Sequence, residues 1–563
     1  MPLFVNEPVE RLSRPYARRW WALLVLCLSL MISVMANTAL TVAAPAMTRD
    51  LDLSSSDLQW VIDAYTVPYA ALMLLLGAIG DKYGRRGSLV LGLLIMAAGG
   101  VAGAFADTSV QVIVVRAVMG FGAAMIMPAT LSLLAATFPR EERAKAITIW
   151  AATSGLSIAA GPLIAGVLLK GNGWESTFLI NVPVCVIAVL AAYVLVPPSK
   201  AGDRGRIDYG GGVLSVIWSG ALIYMIIDGP HFGWGASAFT AAGIAGLGLL
   251  LFVGWELRHP RPILDVRKFA QRAFAGANLA IAVFFLAVFG VFYYLTQHFQ
   301  FVLDHDPLET GIRMLPLALG VFLGAAATGA LTPRLGPGVM VTVGMVGGTT
   351  ALALLVGVDA SSTYADFVAP LALLGVSLGL AVSPCTDTIM GAFPESELGV
   401  GGAVNDTSLE LGGSLGIAVL GSALASSYAA NLTDATEGRD VPPEALEAAT
   451  DSVAAGNAVA QSFDEKARQL AEQAAQASPE DAAALERQAA EVARGSVQMA
   501  DAVGSAFSDA VSRTSLIGAV VLGAATLVVA VLMRGKPARP RPPEQQGPHP
   551  EPQRPPVATG AGR

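Results

Sequence analysis

GAIGDKYGRR, running from Gly77 to Arg86, is a charged decapeptide set between two long apolar runs. Residues 57–79 before it and 87–106 after it are almost wholly apolar, and the second run is rich in Gly and Ala. A bilayer core takes about 20 apolar residues per helix, so the decapeptide is a tight turn joining two membrane spans. It places Asp81, Lys82, Arg85 and Arg86 in that turn, where Gly77, Gly80 and Gly84 let backbones come close. A basic loop marks the cytoplasmic side, because short inner loops carry the Lys/Arg excess. Two roles are open for it. One is a topology signal; the other is a salt-bridged latch in which Asp81 pairs with an arginine or caps a neighbouring helix.

The composition around the turn agrees with this class. Of 563 residues, 54% are hydrophobic and only 14% charged, against about 25% charged in soluble domains. This is a polytopic, all-α membrane protein. Cys27, Cys185 and Cys385 all fall inside apolar runs as core residues, so neither a disulfide framework nor a metal site is indicated. The formal charge of −8 is unevenly spread: residues 431–510 alone hold 15 Asp/Glu and 5 Lys/Arg.

Residues 1–19 form a polar arm with Arg11, Arg14, Arg18 and Arg19, followed by Trp20 and Trp21 at the first membrane interface. The apolar run to Ala44 exceeds the roughly 7–15 residues of a signal-peptide core and reads as the first span. Further spans are expected near 57–79, 87–106, 109–136, 144–168, 174–197, 208–228, 236–256, 273–298, 311–332, 338–358, 365–391, 400–427 and 513–533, making fourteen. That even number puts both termini in the cytoplasm, with the basic loops on the inner side. Residues 428–511 then lie outside as an acidic helical loop. Ser478-Pro479-Glu480-Asp481 is a helix start with a cap, a first-position proline and acids in the first turn; Arg494-Gly495 reads as the matching stop. The hairpin so formed is either a lid over the exit or a solvated, dispensable cap. The Pro-, Arg- and Gln-rich tail 535–563 is expected to be disordered.

Two spans carry further signals. Arg116, in RAVMGFGAAMIMP of the fourth span, lies about five residues into the membrane, where an arginine is costly and marks a functional site unless it snorkels to the interface. GLSIAAGPLIAG (155–166) in the fifth combines the helix-kinking Pro162 with Gly155, Gly161 and Gly166, a hinge or a tight crossing. The Gly-x-x-x-Asp-x-x-Gly-Arg-Arg loop after the second span resembles the loop signature of the major facilitator superfamily. GLSIAAGPLIAG resembles the antiporter signature in the fifth span of its exporters, and Arg116 with Gly120 and Gly122 the fourth-span signature. GWESTFLINVPV (173–184), PILDVRKFAQRAF (262–274) and the stretch 383–422 are similar to the same family. Together with the span count, these point to its fourteen-span drug:proton antiporter branch.

The resemblance implies two six-helix bundles, 20–197 and 273–427 with 513–533, and two linking helices within 208–256. It implies a secondary exporter of amphipathic drugs, antibiotics or metabolites across the bacterial plasma membrane, driven by protons, acting as a monomer with no cofactor and no nucleic-acid partner. Asp63 sits where the family commonly has a coupling acid. The first span departs from the pattern: Ala36 stands where an aspartate is usual, with Asn37 the only polar neighbour, so strongly cationic substrates are less expected. Asp387, Asp406 and Glu410 supply acids in the later half, and Asp406 and Glu410 lie at i and i+4 on one helix face. Gln59, Tyr65, Trp150, Tyr293, Gln297 and His298 are polar or aromatic cavity candidates, with ordinary packing as the rival account of each. GGSLG (412–416) matches a hydrolase elbow but lies in a membrane helix, and no P-loop or HExxH motif occurs, which disfavours an enzyme or an ATP-driven pump. A lipid or fatty-acid translocator of the same fold and a membrane sensor using 428–511 are the competing functions.

Overall fold

The computed structural model describes residues 16–51, 53, 55–169, 171–201, 207–232, 235–438 and 441–534. The polar arm up to residue 15 and the tail 535–563 lie outside that set. In chain order the helices are α1 (Arg19–Asp50), α2 (Ser55–Tyr83), α3 (Arg85–Gly103), α4 (Ser109–Thr137), α5 (Arg140–Leu169), α6 (Ser176–Leu179), α7 (Asn181–Leu195), α8 (Tyr209–Phe232) and α9 (Ala236–Arg258). They continue as α10 (Arg272–Gln297), α11 (Pro307–Arg313), α12 (Leu315–Leu335), α13 (Pro337–Leu354), α14 (Tyr364–Gly391), α15 (Leu398–Thr436), α16 (Pro443–Thr450), α17 (Val453–Gln476) and α18 (Pro479–Leu532).

Among the described residues, 13 helical segments are long and apolar enough to cross a membrane. The expected fifth span corresponds to α5, whose 30 residues reach about 45 Å at 1.5 Å per residue. A count of fourteen is compatible with this arrangement. Cys27, Cys185 and Cys385 are all buried, as their apolar settings predict.

Small residues set the helix packing. α2 crosses α4 at Gly120, where a Cβ would collide with the Tyr65 carbonyl, and α1 crosses α5 at Gly161, where it would strike the Thr38 hydroxyl. In the later half α10 crosses α15 at Gly412 and Gly416, and α12 crosses α14 at Gly324 and Gly375, each against a backbone carbonyl. Helices in lipid have no hydrophobic drive toward one another, so such close backbone contact supplies much of their attraction. The early and later helices meet where α2 and α4 face α15, and where α5 faces α11, α12 and α14. α8 packs on both α2 and α15 and carries α9 on its other side.

The acidic segment outside the last span is a coiled coil. α17 buries Val453, Ala460, Ala467 and Ala474, and α18 buries Ala489, Ser496, Val503 and Ala510. Both series advance by seven, the spacing of a coiled-coil seam, and the small side chains bring the two antiparallel helices close enough for Ser496 Oγ to donate to the Ala460 carbonyl at 2.8 Å. Ser478 caps α18 as expected, accepting from the Asp481 amide, with Pro479 in the first turn.

The stop expected at Arg494-Gly495 does not occur. α18 runs 54 residues without a break and includes the last span. A mid-helix glycine costs about 1 kcal/mol, which is less than the burial recovered by the seam residues on either side of it. A Cβ at Gly495 would meet nothing within 4 Å. Gly495→Ala is therefore expected to stabilise the hairpin by about 0.5–1 kcal/mol. Hydrogen exchange at the amides around position 495 checks this: slower exchange agrees, whereas faster exchange means that the helix ends there.

Candidate functional site

The decapeptide turn ties the early helices to the later ones. Gly84, with φ 140°, breaks α2 from α3 in a backbone region that disfavours any side chain. Asp81 is fully buried, and its two carboxylate oxygens accept from the Gly399 amide at 2.9 and 2.8 Å. The Val400 amide donates to it at 3.3 Å, and Arg85 Nε at 2.7 Å. Asp81 thus pairs with an arginine and caps a neighbouring helix at once: the carboxylate sits on the positive end of α15. Arg85 Nη2 reaches on to the Glu395 carbonyl at 2.7 Å, and Arg86 Nη1 to the Val196 carbonyl at 3.1 Å. A Cβ on Gly77 would lie 2.6 Å from the Gly399 carbonyl, so the latch needs glycine at the crossing.

Arg116 does not snorkel. It is fully buried in α4, and its guanidinium forks between α1 and α2. Nη1 donates to the Ala36 carbonyl at 3.0 Å, Nε to the Val61 carbonyl at 3.0 Å, and Nη2 to Asn37 Oδ1 at 2.8 Å. Where the family's usual aspartate is missing, the backbone of Ala36 and the amide of Asn37 take the charge's hydrogen bonds. The guanidinium also lies 4.4 Å over the Tyr65 ring, whose hydroxyl donates to the Ser33 carbonyl at 2.6 Å. Asp63, two residues before Tyr65 and buried, is within electrostatic reach of Arg116.

From Tyr65 the polar groups continue inward. The Tyr69 ring is 5.8 Å from that of Tyr65, and its hydroxyl lies beside the Glu410 carboxyl of α15. One turn before Glu410, Asp406 is fully buried and bonded to Asn405. Arg116, Asp63, Tyr65, Tyr69, Glu410 and Asp406 therefore form a thread of polar side chains through an apolar interior, crossing from the early helices to the later ones. Asp387 stands apart, exposed on α14 and nearest in charge to Arg143 of α5.

Other candidates fall elsewhere. Trp150 is packed in the core, its Nε1 donating to Thr130 Oγ1 at 3.1 Å. Tyr293 and Gln297 lie toward the C-terminal end of α10, where Tyr293 packs against Gly421 and Gln297 Nε2 bonds back to the Tyr293 carbonyl at 3.4 Å. His298 is buried among Phe299, Phe367 and Phe507. Gly166 faces Leu308 of α11, in the other half. Gly155, Pro162 and Gln59 lie in helix, and their surroundings fall outside the described set. Asn405 and Asp406, for which a solvated capping pair was the rival reading, are buried. Sequence reasoning passed over Tyr69 and Thr386, and also the 2.7 Å hydroxyl pair of Thr148 and Ser383 that joins α5 to α14. The available signal was the register: antiparallel α2 and α15 meet at Asp81 and Gly399, and Tyr69 and Glu410 lie nearly equal steps further along.

The model of the Major Facilitator Superfamily matches residues 26–417. The chain belongs to the major facilitator superfamily. Among relatives of this major facilitator protein, the multidrug efflux pump LfrA of Mycolicibacterium smegmatis is 29% identical over 94% of this chain and 99% of its own. The tetracenomycin C resistance and export protein of Streptomyces glaucescens is 31% identical over 73% of this chain and 76% of its own. The methyl viologen resistance protein SmvA of Salmonella typhimurium is 33% identical over 74% and 84%. In structure, the chain is similar to a bacterial homolog of the human lysosomal transporter Spinster, with a TM-score of 0.53 at 18% identity, covering 93% of this chain and all of that one. That last likeness concerns the major facilitator fold alone.

Proposed function

We propose that this protein is a proton-coupled exporter of amphipathic small molecules, drugs and antibiotics among them, working across the bacterial plasma membrane with both termini in the cytoplasm. The observation that carries the reading is the buried polar thread from Arg116 and Asp63 to Glu410 and Asp406, with the Asp81 latch closing the cytoplasmic end of the same α2–α15 contact. Ionisable groups inside a membrane are costly and are kept where ions or substrates pass. Here they sit where early and later helices meet, so rocking those halves against each other exposes the acids to one side and then the other. Protons entering from outside reset the acids after substrate leaves. The efflux and export roles named for the relatives support the substrate class. Ala36 in place of an acid favours neutral and weakly cationic molecules.

The test is transport by purified protein in vesicles under an imposed pH gradient, followed with a fluorescent amphipathic dye. The parent is expected to move dye only with the gradient. Asp63→Asn is expected to abolish that movement, and Glu410→Gln to lower it more for cationic dyes than for neutral ones. Dye movement by both variants equal to the parent means that coupling lies in other residues. No gradient-driven movement by the parent sinks the exporter reading.

A further inference from the structure

Asp406 lies in the first third of α15 with none of its surface exposed. Its two carboxyl oxygens are treated differently by the fold. Oδ1 accepts from Asn405 Nδ2 at 3.0 Å, whereas Oδ2 is buried with no hydrogen-bond partner among the described residues. Asn405 is itself held from the other side, its Oδ1 accepting from Thr386 Oγ1 of α14 at 2.9 Å. Thr386, Asn405 and Asp406 are 0%, 1% and 0% exposed, so bulk solvent does not reach these bonds.

An amide has one end that only accepts and one that only donates. With the Thr386 hydroxyl on its oxygen, Asn405 has only N–H to offer Asp406. Oδ1 is therefore an acceptor in both protonation states, and a proton on this carboxyl belongs on Oδ2. A bare buried oxygen is tolerable as part of a neutral acid and costly as part of an anion. The titratable groups facing this stretch are few. Glu410 follows one turn later on α15, with Tyr69 of α2 beside it. Asp387, next to Thr386 on α14, has Arg143 as its nearest charge. α4 presents Pro128 and Leu131 to Gly402, and α10 presents Asn278 to Ser408; none of these is charged.

We propose that Asp406 Oδ2 is the proton seat of the transport cycle, and that Asn405 and Thr386 are positioning residues that decide which oxygen carries the proton. This rests on the proton-coupled reading above and names, within the polar thread that also holds Asp63 and Glu410, the oxygen on which the proton rests. In the loading step a proton arriving through water from the outer side forms the O–H bond at Oδ2. In the unloading step that bond breaks, the pair stays on oxygen, and the proton leaves to cytoplasmic water. Nothing else is made or broken.

The experiment measures proton release on addition of an amphipathic substrate to detergent-purified protein, with a pH dye, over a series of starting pH values. Asp406→Asn is expected to lose at least nine-tenths of the release. Thr386→Val keeps the side-chain shape but removes the hydroxyl, and Asn405→Leu removes the donor outright. In both, the pH midpoint of release is expected to move up by about one unit, because the N–H that serves the ionised form is gone in Asn405→Leu and no longer held toward Oδ1 in Thr386→Val. Thr386→Ser restores the hydroxyl and is expected to keep the parent midpoint, which a purely structural role for Thr386 does not require. Gel filtration shows which variants are intact, and the isosteric Thr386→Val suffices if Asn405→Leu aggregates. Parent-like release by Asp406→Asn, or parent-like midpoints in Thr386→Val, overturns the proposal while leaving proton-coupled export standing. No release by the parent removes both.

Discussion

Asp81→Asn is expected to reach the membrane in normal amount and to export at least tenfold less than the parent. The Gly399 amide spans both carboxylate oxygens, and the Val400 amide and Arg85 Nε donate to it as well, in a site with no exposed surface. Asparagine keeps one accepting oxygen and turns the other into a donor that faces the same N–H groups. Arg85, 1% exposed, loses its counter-charge, and removing one partner of a buried pair typically costs about 3–5 kcal/mol. The positive end of α15 loses its anion as well. These losses fall on the arrangement in which α2 touches α15, so they shift the balance between conformations, and about 1.4 kcal/mol is already tenfold. Dye efflux from cells, normalised to membrane abundance, measures the effect. Full efflux by a well-expressed Asp81→Asn protein reduces the decapeptide to a topology signal.

A comparable loss is expected for Arg116→Met, and, more tellingly, for Arg116→Lys. The guanidinium reaches the Ala36 carbonyl, the Val61 carbonyl and Asn37 from three nitrogens while covering the Tyr65 ring. A lysine ammonium is a compact point charge that cannot fork to α1 and α2 in the same plane, so it keeps the charge and loses the geometry. Gradient-driven transport in vesicles is expected to fall at least tenfold in both variants, with the proteins still eluting as single species. Arg116→Lys protein that keeps more than half of the parent's rate means that charge alone is required there.

Much of this fold is legible in the residues. The apolar runs and the charged turns between them give the spans directly, because a bilayer leaves a helix few alternatives. The latch was legible as chemistry, since a carboxylate and two arginines in a ten-residue turn have to find partners. Its partner in α15 was not, because a helix N-terminus more than 300 residues away offers backbone N–H groups, which leave no trace in side-chain identity. The same reason hid Arg116's partners, most of them carbonyls. Arg494-Gly495 misled because a local stop signal competes with a seven-residue seam whose members are mostly alanine, and alanine looks like filler until its spacing is counted. The bond between Thr386 and Asn405 was missed because a lone amide and hydroxyl in a span usually bond back to their own helix.

α18 also makes the protein a gauge of its own cycle. One unbroken helix of 54 residues packs with the later helices through the last span and forms one side of the coiled coil before it. About 33 of those residues precede the last span, a lever of roughly 50 Å at 1.5 Å per residue. Each degree by which the later half tilts against the early one then carries the far end through roughly 0.9 Å for that arm. A pair of spectroscopic labels, one near Ala477 at the tip and one at the Ser109 end of α4, would read any small rotation at Asp81, Glu410 and Asp406 as a large distance change.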